Sequence, residues 1–341
     1  MTDDDPIPSR PSPPTIRDVA REAGVTVGTA SKALNGRGQL RTETRDRVRA
    51  AAEYLEFRPN ELVKSLLRGR TYTVGLLSSA QGRFSLPLLT GIEDALGTAE
   101  IMVFFCYVDA DSQQERNNIA SLLAKQVDGL IVMGGRTDPR RPIDVGRSRV
   151  PIVYAYTHID DPNALCLLPD DAQGARLAID HLVGLGRRRI AHITGPDDFQ
   201  AVHERRAGVD DALAAHGLSL PPNRFWGGSW SEGGGYQAVD ELLDHEPDID
   251  AIFCGNDQLA RGAIDGLRER GKRVPADIAV VGFDNWEDLA EAARPPLTTV
   301  DMNLHDLGQE AARHLLAMVA GETPAGTHRL PCTLVVRASS G

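Results

Sequence analysis

Through the first seventy residues the apolar positions recur at three- and four-residue spacing, while beyond Tyr72 they gather into short continuous runs. The two patterns predict two architectures. In the first, Thr15 and Asp18 form a T-x-x-D capping pattern, and Ile16, Val19, Ala20 and Ala23 follow on one helical face. Gly24 ends that helix, Val25 fills the turn, and Thr26 caps a second helix over about Val27 to Leu34, closed by Asn35-Gly36. A third helix fits Thr42 to about Leu55, with Val48, Ala51, Ala52 and Leu55 on its apolar face and Tyr54 and Phe57 closing a small core. Helix, glycine turn, helix is the helix-turn-helix pattern, although a plain three-helix bundle shares the periodicity.

Pro59 breaks the third helix and Asn60 can cap a fourth, about Glu61 to Leu67. A helix of under two turns is marginal alone in water, yet Leu62, Val63, Leu66 and Leu67 are too apolar for an exposed linker. They need a partner: the body, or a twin helix in a second subunit with apolar side chains wedged into a DNA minor groove.

The runs beyond Tyr72 are "YTVGLL", "EIMVFFCYV", "DGLIVMG", "PIVYAYT", "RIAHITG", "DAIFCGN" and "IAVVGFD". Near-continuous hydrophobicity predicts strands buried on both faces of a parallel sheet, covered by helices such as Ala172–Gly186, Arg205–Gly217 and Asp257–Gly271. Ligands of such sheets sit at the carboxyl ends of the strands.

Charge separates the two regions further. The chain carries a net charge of −11, yet residues 10–70 hold thirteen Lys/Arg against seven Asp/Glu, and residues beyond 70 hold 24 against 38. A basic head on an acidic body points to a polyanion met by the head alone. The acidic, proline-rich "MTDDDPIPSRPSPP" lacks the basic and apolar regions of a signal peptide and is expected to be a disordered leader over residues 1–13. No apolar run reaches the ~18 residues that a membrane span needs. Cys106, Cys166, Cys254 and Cys332 form no CxxC pair, and Cys106 and Cys254 are expected to be buried free thiols. The chain reads as cytoplasmic. No P-loop, GxSxG or HExxH occurs, "VGLLSSAQGRF" lacks the GxGxxG spacing, and the nine histidines show no ligand spacing. His192 reads as a core histidine. No enzyme activity, no cofactor and no metal site are expected.

Taken in order, "TIRDVAREAGVTVGTASKALNG", "TRDRVRAAAEYLEFRPN", "VKSLLRGRT", "DGLIV", "HLVGLGRRRIAHITGP", "RRAG", "GNDQLARGA" and "VVGFDN…PPLTT" resemble the lactose-repressor (LacI/GalR) family of bacterial transcription regulators from about Pro14 to the C-terminus. The resemblance implies an all-α helix-turn-helix DNA-binding domain over 14–58, a hinge helix and linker over 59–71, and an effector-binding and dimerisation domain over 72–341. That body would be an α/β periplasmic-binding-protein-like pair of doubly wound parallel-sheet lobes. The N-lobe would take about 72–160 and 290–322, and the C-lobe about 161–289 and 323–341. Crossovers would fall near 158–163, 288–293 and 321–325, with Asn285, Trp286 and Asp288 in the second. The implied function is a sequence-specific repressor whose operator affinity is set by a small polar effector, a sugar or related metabolite, in the interlobe cleft. The implied partners are near-palindromic double-stranded operator DNA and a second copy of the chain, as a homodimer or a tetramer. Effectors that release DNA and effectors that promote binding both fit.

The resemblance also assigns residues. Thr26 to Leu34 would lie in the major groove, with Val27, Gly28 and Lys32 facing bases, Thr29 and Ser31 near phosphates, and Thr15 and Asn35 on the same surface. Val63, Lys64 and Leu66 would lie in the minor groove, with Leu66 as the wedge. Gly28 departs from relatives that carry a polar side chain there, which shifts readout to Val27 and Lys32; Lys32 could donate to guanine or hold a phosphate. For the effector, Arg205, Asn256 and Asp284 match hydrogen-bonding positions. Phe84 would line the N-lobe side, and Trp230 would pack on a sugar ring or into the lobe core. Tyr156-Thr157 replaces the family's common Asp-Arg and brings Tyr156 to the site. Asp257 is expected to cap the helix that it opens.

Overall fold

The computed structural model describes residues 14–35, 39–57, 70–79 and 82–341. The expected leader and the hinge helix, with Val63, Lys64 and Leu66, lie outside the described residues. The chain divides into two compact units, Met1–Thr71 and Tyr72–Gly341, each described by itself.

In the head, α1 (Ile16–Glu22), α2 (Val27–Leu34) and α3 (Thr42–Tyr54) form where the periodicity and caps place them. The Thr15 amide donates to an Asp18 carboxylate oxygen at 2.9 Å, and the Thr15 hydroxyl donates to the same oxygen at 2.7 Å, so the first turn of α1 is tied to its cap. Gly24 has φ +62°, and the Val25 amide reaches back to the Ala20 carbonyl at 2.9 Å. Nothing lies within 4 Å of where a Gly24 Cβ would sit, so the dihedral and not the space requires glycine. Val19, Ala20, Ala23, Ala30, Ala33 and Val48 make the core. Mostly small side chains let three short helices approach closely.

The body holds two six-stranded sheets. The first contains β1 (Thr73–Ser78), β2 (Met102–Tyr107), β3 (Gly129–Met133), β5 (Ile152–Ala155), β7 (Leu165–Pro169) and β13 (Gly326–Leu330), in the order β13-β7-β5-β3-β1-β2, all parallel. The second contains β8 (Ile190–Thr194), β9 (Phe225–Gly227), β10 (Ala251–Cys254), β11 (Ala279–Phe283), β12 (Thr298–Asp301) and β14 (Thr333–Val335), in the order β14-β12-β11-β10-β8-β9, with only β14 antiparallel. A two-residue parallel pair, β4 (Pro139–Arg140) and β6 (His158–Ile159), lies beside the first sheet. Helices α4 (Ser85–Thr98), α5 (Gln113–Ala124) and α11 (Leu304–Val319) pack with the first lobe; α6 (Asp171–Gly184), α7 (Gln200–Ala215), α8 (Glu232–His245), α9 (Asp257–Glu269) and α10 (Glu287–Ala292) belong to the second.

Sheet membership corrects the lobe boundaries. The chain changes lobes after Pro169, after Asp301 and after Leu330, each roughly ten residues later than expected. The cause is strands that hydropathy passed over: "LCLLP" and "GTHRL" complete the first sheet, and "TTVD" joins the second. Asn285, Trp286 and Asp288 therefore belong to the C-lobe and not to a crossover. The crossovers are tied sideways. The Asp170 amide donates to Leu330 O at 2.8 Å, the Cys332 amide to the Gln173 side chain at 2.8 Å, and Asn303 Nδ2 to Pro331 O at 2.9 Å.

A second correction concerns β2. Its near-continuous apolar run predicts burial on both faces, but β2 is an edge strand, with Met102 70% and Phe105 51% exposed. Cys106 on that strand is half-buried, while Cys254 is buried, and both are free.

Helix packing in the C-lobe rests on glycines at backbone contact. A Cβ on Gly262 of α9 would run into the Glu232 carbonyl, and one on Gly235 of α8 into the Leu259 carbonyl. Gly262→Ala should thus destabilise the body by about 1–3 kcal/mol through overpacking. Gly184→Ala in the last turn of α6, where nothing lies within 4 Å, should be neutral or stabilise by about 0.5–1 kcal/mol. Thermal unfolding followed by circular dichroism reads both; equal shifts would show that backbone contact does not govern this packing.

Candidate functional site

On the head, α2 presents Thr26, Val27, Gly28 and Lys32 to solvent and turns Ala30 and Ala33 into the core. Thr26 Oγ1 accepts from the Thr29 amide at 3.2 Å and pairs with the Thr29 hydroxyl at 2.9 Å, which fixes the start of the helix. Val27 is 43% exposed. An apolar, rotamer-restricted side chain in the open first turn suits contact with a thymine methyl. Lys32 is exposed and makes no ion pair among the described residues. Ser31 and Asn35 are half-buried and joined by a 3.3 Å contact from Asn35 Nδ2 to Ser31 Oγ. Thr15 is exposed at the cap of α1.

In the body, Phe84, Tyr156, Arg205, Trp230, Asn256 and Asp284 all line one cavity of about 180 Å³, room for a small molecule rather than a single water. Most reach it from strand ends. Phe84 follows β1, Tyr156 follows β5, Asn256 follows β10 and Asp284 follows β11, while Arg205 comes from α7. The walls are aromatic, one pair per lobe. Phe84 and Tyr156 lie 5.5 Å apart on one side, and Phe199 and Trp230 lie edge to face at 5.6 Å on the other. The Trp230 ring also rests where Gly195 and Gly255 lack a Cβ, so it packs on the lobe and faces the cavity at once.

Arg205 is the electrostatic centre. Its side chain is 4% exposed. Nε donates to Asp171 Oδ1 at 2.7 Å, Nη1 donates to the Gly255 carbonyl and lies 3.7 Å from Asp284 Oδ1, and the guanidinium stacks 3.7 Å from the Phe283 ring. Burial raises the pKa of Asp171 and of Asp284 above the usual carboxylate range despite the arginines beside them. Burial, and then the Asp284 charge, raises the Tyr156 phenol, which stays neutral. Asp171 Oδ2 and Asp284 Oδ1 are buried and have no hydrogen-bond partner among the described residues. The backbone is strained at two lining positions, Tyr156 with φ +56° and Asp284 with φ +106°.

The roles of Asn256 and Asp257 differ from expectation. Asn256 is the cap of α9, its Oδ1 accepting from the Leu259 amide at 2.8 Å, which leaves its Nδ2 for the cavity. Asp257 is fully buried and instead accepts from the Trp286 amide at 2.7 Å and from the Thr299 hydroxyl. One residue of register separates a cap from a residue inside the first turn, and sequence spacing does not resolve it. His192 is a core residue: it stacks on Phe253 at 4.9 Å and shares 3.1 Å between Nδ1 and the Phe253 carbonyl, and burial pushes its pKa down to about 4.

Sequence reasoning missed the residues that tie the lobes across this cavity. Arg83 donates from Nη2 to Asp284 and from Nη1 to Gln258 at 3.0 Å, with its guanidinium 4.4 Å from the Phe84 ring. Across the cavity, Asp138 Oδ2 accepts from Arg136 Nε at 2.8 Å, while its Oδ1 accepts at 2.9 Å from the amide of Gln200, the first residue of α7 in the other lobe. The cap position of that helix, Phe199, has no side-chain cap of its own. Arg136 then lies 3.5 Å over the Phe199 ring. The signal was present: "GGRTD" follows a strand end, and the strand-end rule that found Asn256 applies to it equally.

Comparison with known proteins matches both the head and the body. Residues 15–60 match the bacterial regulatory proteins of the lacI family, and residues 179–340 match the periplasmic binding protein-like domain. The HTH-type transcriptional regulator CelR of Thermobifida fusca is 36% identical over 317 residues, spanning 91% of this chain and 93% of that protein. Catabolite control protein A of Priestia megaterium is 33% identical over 312 residues, again 91% and 93%. Among solved structures, the Lac repressor dimer bound to operator and the anti-inducer ONPF superposes with a TM-score of 0.79 at 29% identity, covering 96% of this chain and 99% of that one. The CelR–cellobiose complex superposes with a TM-score of 0.66 at 31% identity, covering 96% and 100%. The chain belongs to the lacI family of bacterial regulatory proteins.

Proposed function

We propose that this protein is a homodimeric operator-binding repressor, acting in the cytoplasm at the nucleoid, whose DNA affinity is set by a small sugar-like effector between the lobes. The observation that carries this reading is the convergence of six residues from six separate segments on one cavity, in a chain that also carries an exposed recognition helix. Aromatic faces on both walls suit the C–H faces of a sugar ring, and Arg, Asn, Thr and Asp groups between them suit its hydroxyl edge. The CelR–cellobiose structure supports a sugar by kinship. In the head, Val27 and Lys32 read bases with Gly28 backing onto the groove, Thr15, Thr29, Ser31 and Asn35 support the phosphate contacts, and Val63, Lys64 and Leu66 enter the minor groove. The effector acts by changing the population of the closed body, and a hinge segment whose expected helix is marginal alone would make a small bias sufficient.

The exposed face of β2 and α4 supplies the dimer contact. Leu86, Phe105 and Tyr107 are exposed on the α4 side of the strand, 64% for Leu86, and line one shallow cavity, while Met102 and Phe104 are exposed on its other face. So large an apolar edge calls for a partner, and a near-palindromic operator calls for a second copy.

Operator affinity should fall steeply with salt as Lys/Arg contacts release counterions. Lys32→Ala should cost about 1–3 kcal/mol and relax specificity at one position per half-site; a uniform loss over all sequences, read by binding-site selection, would move Lys32 to the phosphates. Phe105→Asp should convert the protein to a monomer in sedimentation and remove most operator affinity while the circular dichroism spectrum is kept. A Phe105→Asp dimer with native operator affinity would place the subunit interface elsewhere.

A further inference from the structure

The cavity contains three arginines, which at first sight marks it for an anion such as a phosphorylated sugar. Their partners say otherwise. Arg83 is held by Asp284, Arg205 by Asp171 with Asp284 at 3.7 Å, and Arg136 by Asp138 at 2.8 Å. Among the described residues that line the cavity, every guanidinium is thus engaged by a carboxylate, and no lysine joins them. A phosphate or carboxylate entering here would face carboxylates and find no free cation, in a site where burial magnifies the repulsion.

The groups left unsatisfied are those that a hydroxyl can serve. Asp284 Oδ1 is buried, has no hydrogen-bond partner and can accept; its side chain is 3% exposed. The Thr137 hydroxyl is on the N-lobe wall, 4% exposed and without a partner, and can donate or accept. Asn256 keeps Nδ2 as a donor, because only its oxygen caps α9. A hydroxyl is both donor and acceptor and matches all three; a fully ionised phosphate has no proton to donate to Asp284.

We propose that the effector is an uncharged polyhydroxylated molecule, that the cavity excludes phosphorylated and carboxylated sugars, and that Thr137 and the Arg136–Asp138 pair set this selectivity. The inference rests on the sugar-effector reading above and narrows it. Asp138 is the selectivity switch because it neutralises Arg136. Asp138→Asn keeps an oxygen to accept the Gln200 amide and so keeps the tie to α7, but it leaves Arg136 only Asp198, at 3.6 Å and 69% exposed.

The test is thermal shift and calorimetry on the full chain with a panel of neutral pentoses, hexoses and disaccharides, including cellobiose, ribose and glucose. Each is run beside a charged partner: cellobionate, ribose 5-phosphate or glucose 6-phosphate. At least one neutral sugar should stabilise the protein, and its charged partner should not. In Thr137→Val the neutral sugar should bind about five-fold more weakly with the unliganded melting temperature kept, the size of one lost hydrogen bond. In Asp138→Asn a phosphorylated sugar should gain about ten-fold or more in affinity, the scale of one exposed guanidinium. Binding of a phosphorylated or acidic sugar to the wild type in preference to its neutral parent overturns the inference and leaves the sugar-effector reading standing. No binding across both series overturns that reading as well.

Discussion

Everything in the effector half of this protein is arranged around one buried guanidinium. Arg205 is out of water, and taking an arginine there costs several kcal/mol unless each donor is met. The fold meets them from four separate stretches: Asp171 at the start of α6, the Gly255 carbonyl beyond β10, Asp284 beyond β11, and the Met302 sulfur at 3.8 Å beyond β12. Three of these stretches follow the neighbouring strands β10, β11 and β12, and Asp171 opens the helix that follows β7 of the other sheet. One side chain therefore fixes how the rim of the C-lobe sheet closes. One of the carboxylates that satisfy it, Asp284, also lines the cavity, so the stabilising interaction and the binding surface share a side chain. Strain at Asp284, with φ +106°, persists because Arg205 and Arg83 hold its carboxylate from both sides.

The second layer of the design lies across the cleft. Arg83 and Asp138 each join the lobes at the cavity, and Arg329 on β13 adds a two-pronged pair with Glu204 on α7 at 2.7 Å. All are polar and only partly buried, the kind of contact that holds a closed arrangement by a small margin. A ligand that hydrogen-bonds both walls adds to the same side of that balance. The crossovers, tied to one another by Gln173 and Asn303, leave rotation about themselves as the available motion. Coupling between cleft and head needs no more than a shift in this population.

Much of this was legible in the sequence, for reasons that can be named. α2 spans Val27–Leu34 as the caps predicted, because Thr26 and Gly24 are local signals that need no tertiary context. The strand-end rule located Asn256 and Asp284 because their strands are apolar runs flanked by turns. The lobe boundaries were not legible: Leu165–Pro169 is a five-residue strand lying between a turn and a helix, and Gly326–Leu330 reads as polar because its residues are largely exposed at a sheet edge. The β2 edge was misread because an apolar run looks the same whether its faces are covered or open. Asp138 was missed because its function, capping a helix 62 residues away in the other lobe, leaves no local pattern.

The central claim is that the cleft between the lobes and the DNA-binding head are thermodynamically coupled. Linkage tests it without reference to any route between them. The affinity of the best neutral sugar is measured by calorimetry for the free protein and for its operator complex, and operator affinity is measured with and without that sugar. The account predicts that the two ratios are equal and differ from one by about five-fold or more. A sugar that binds the free protein and the operator complex with the same affinity would contradict it.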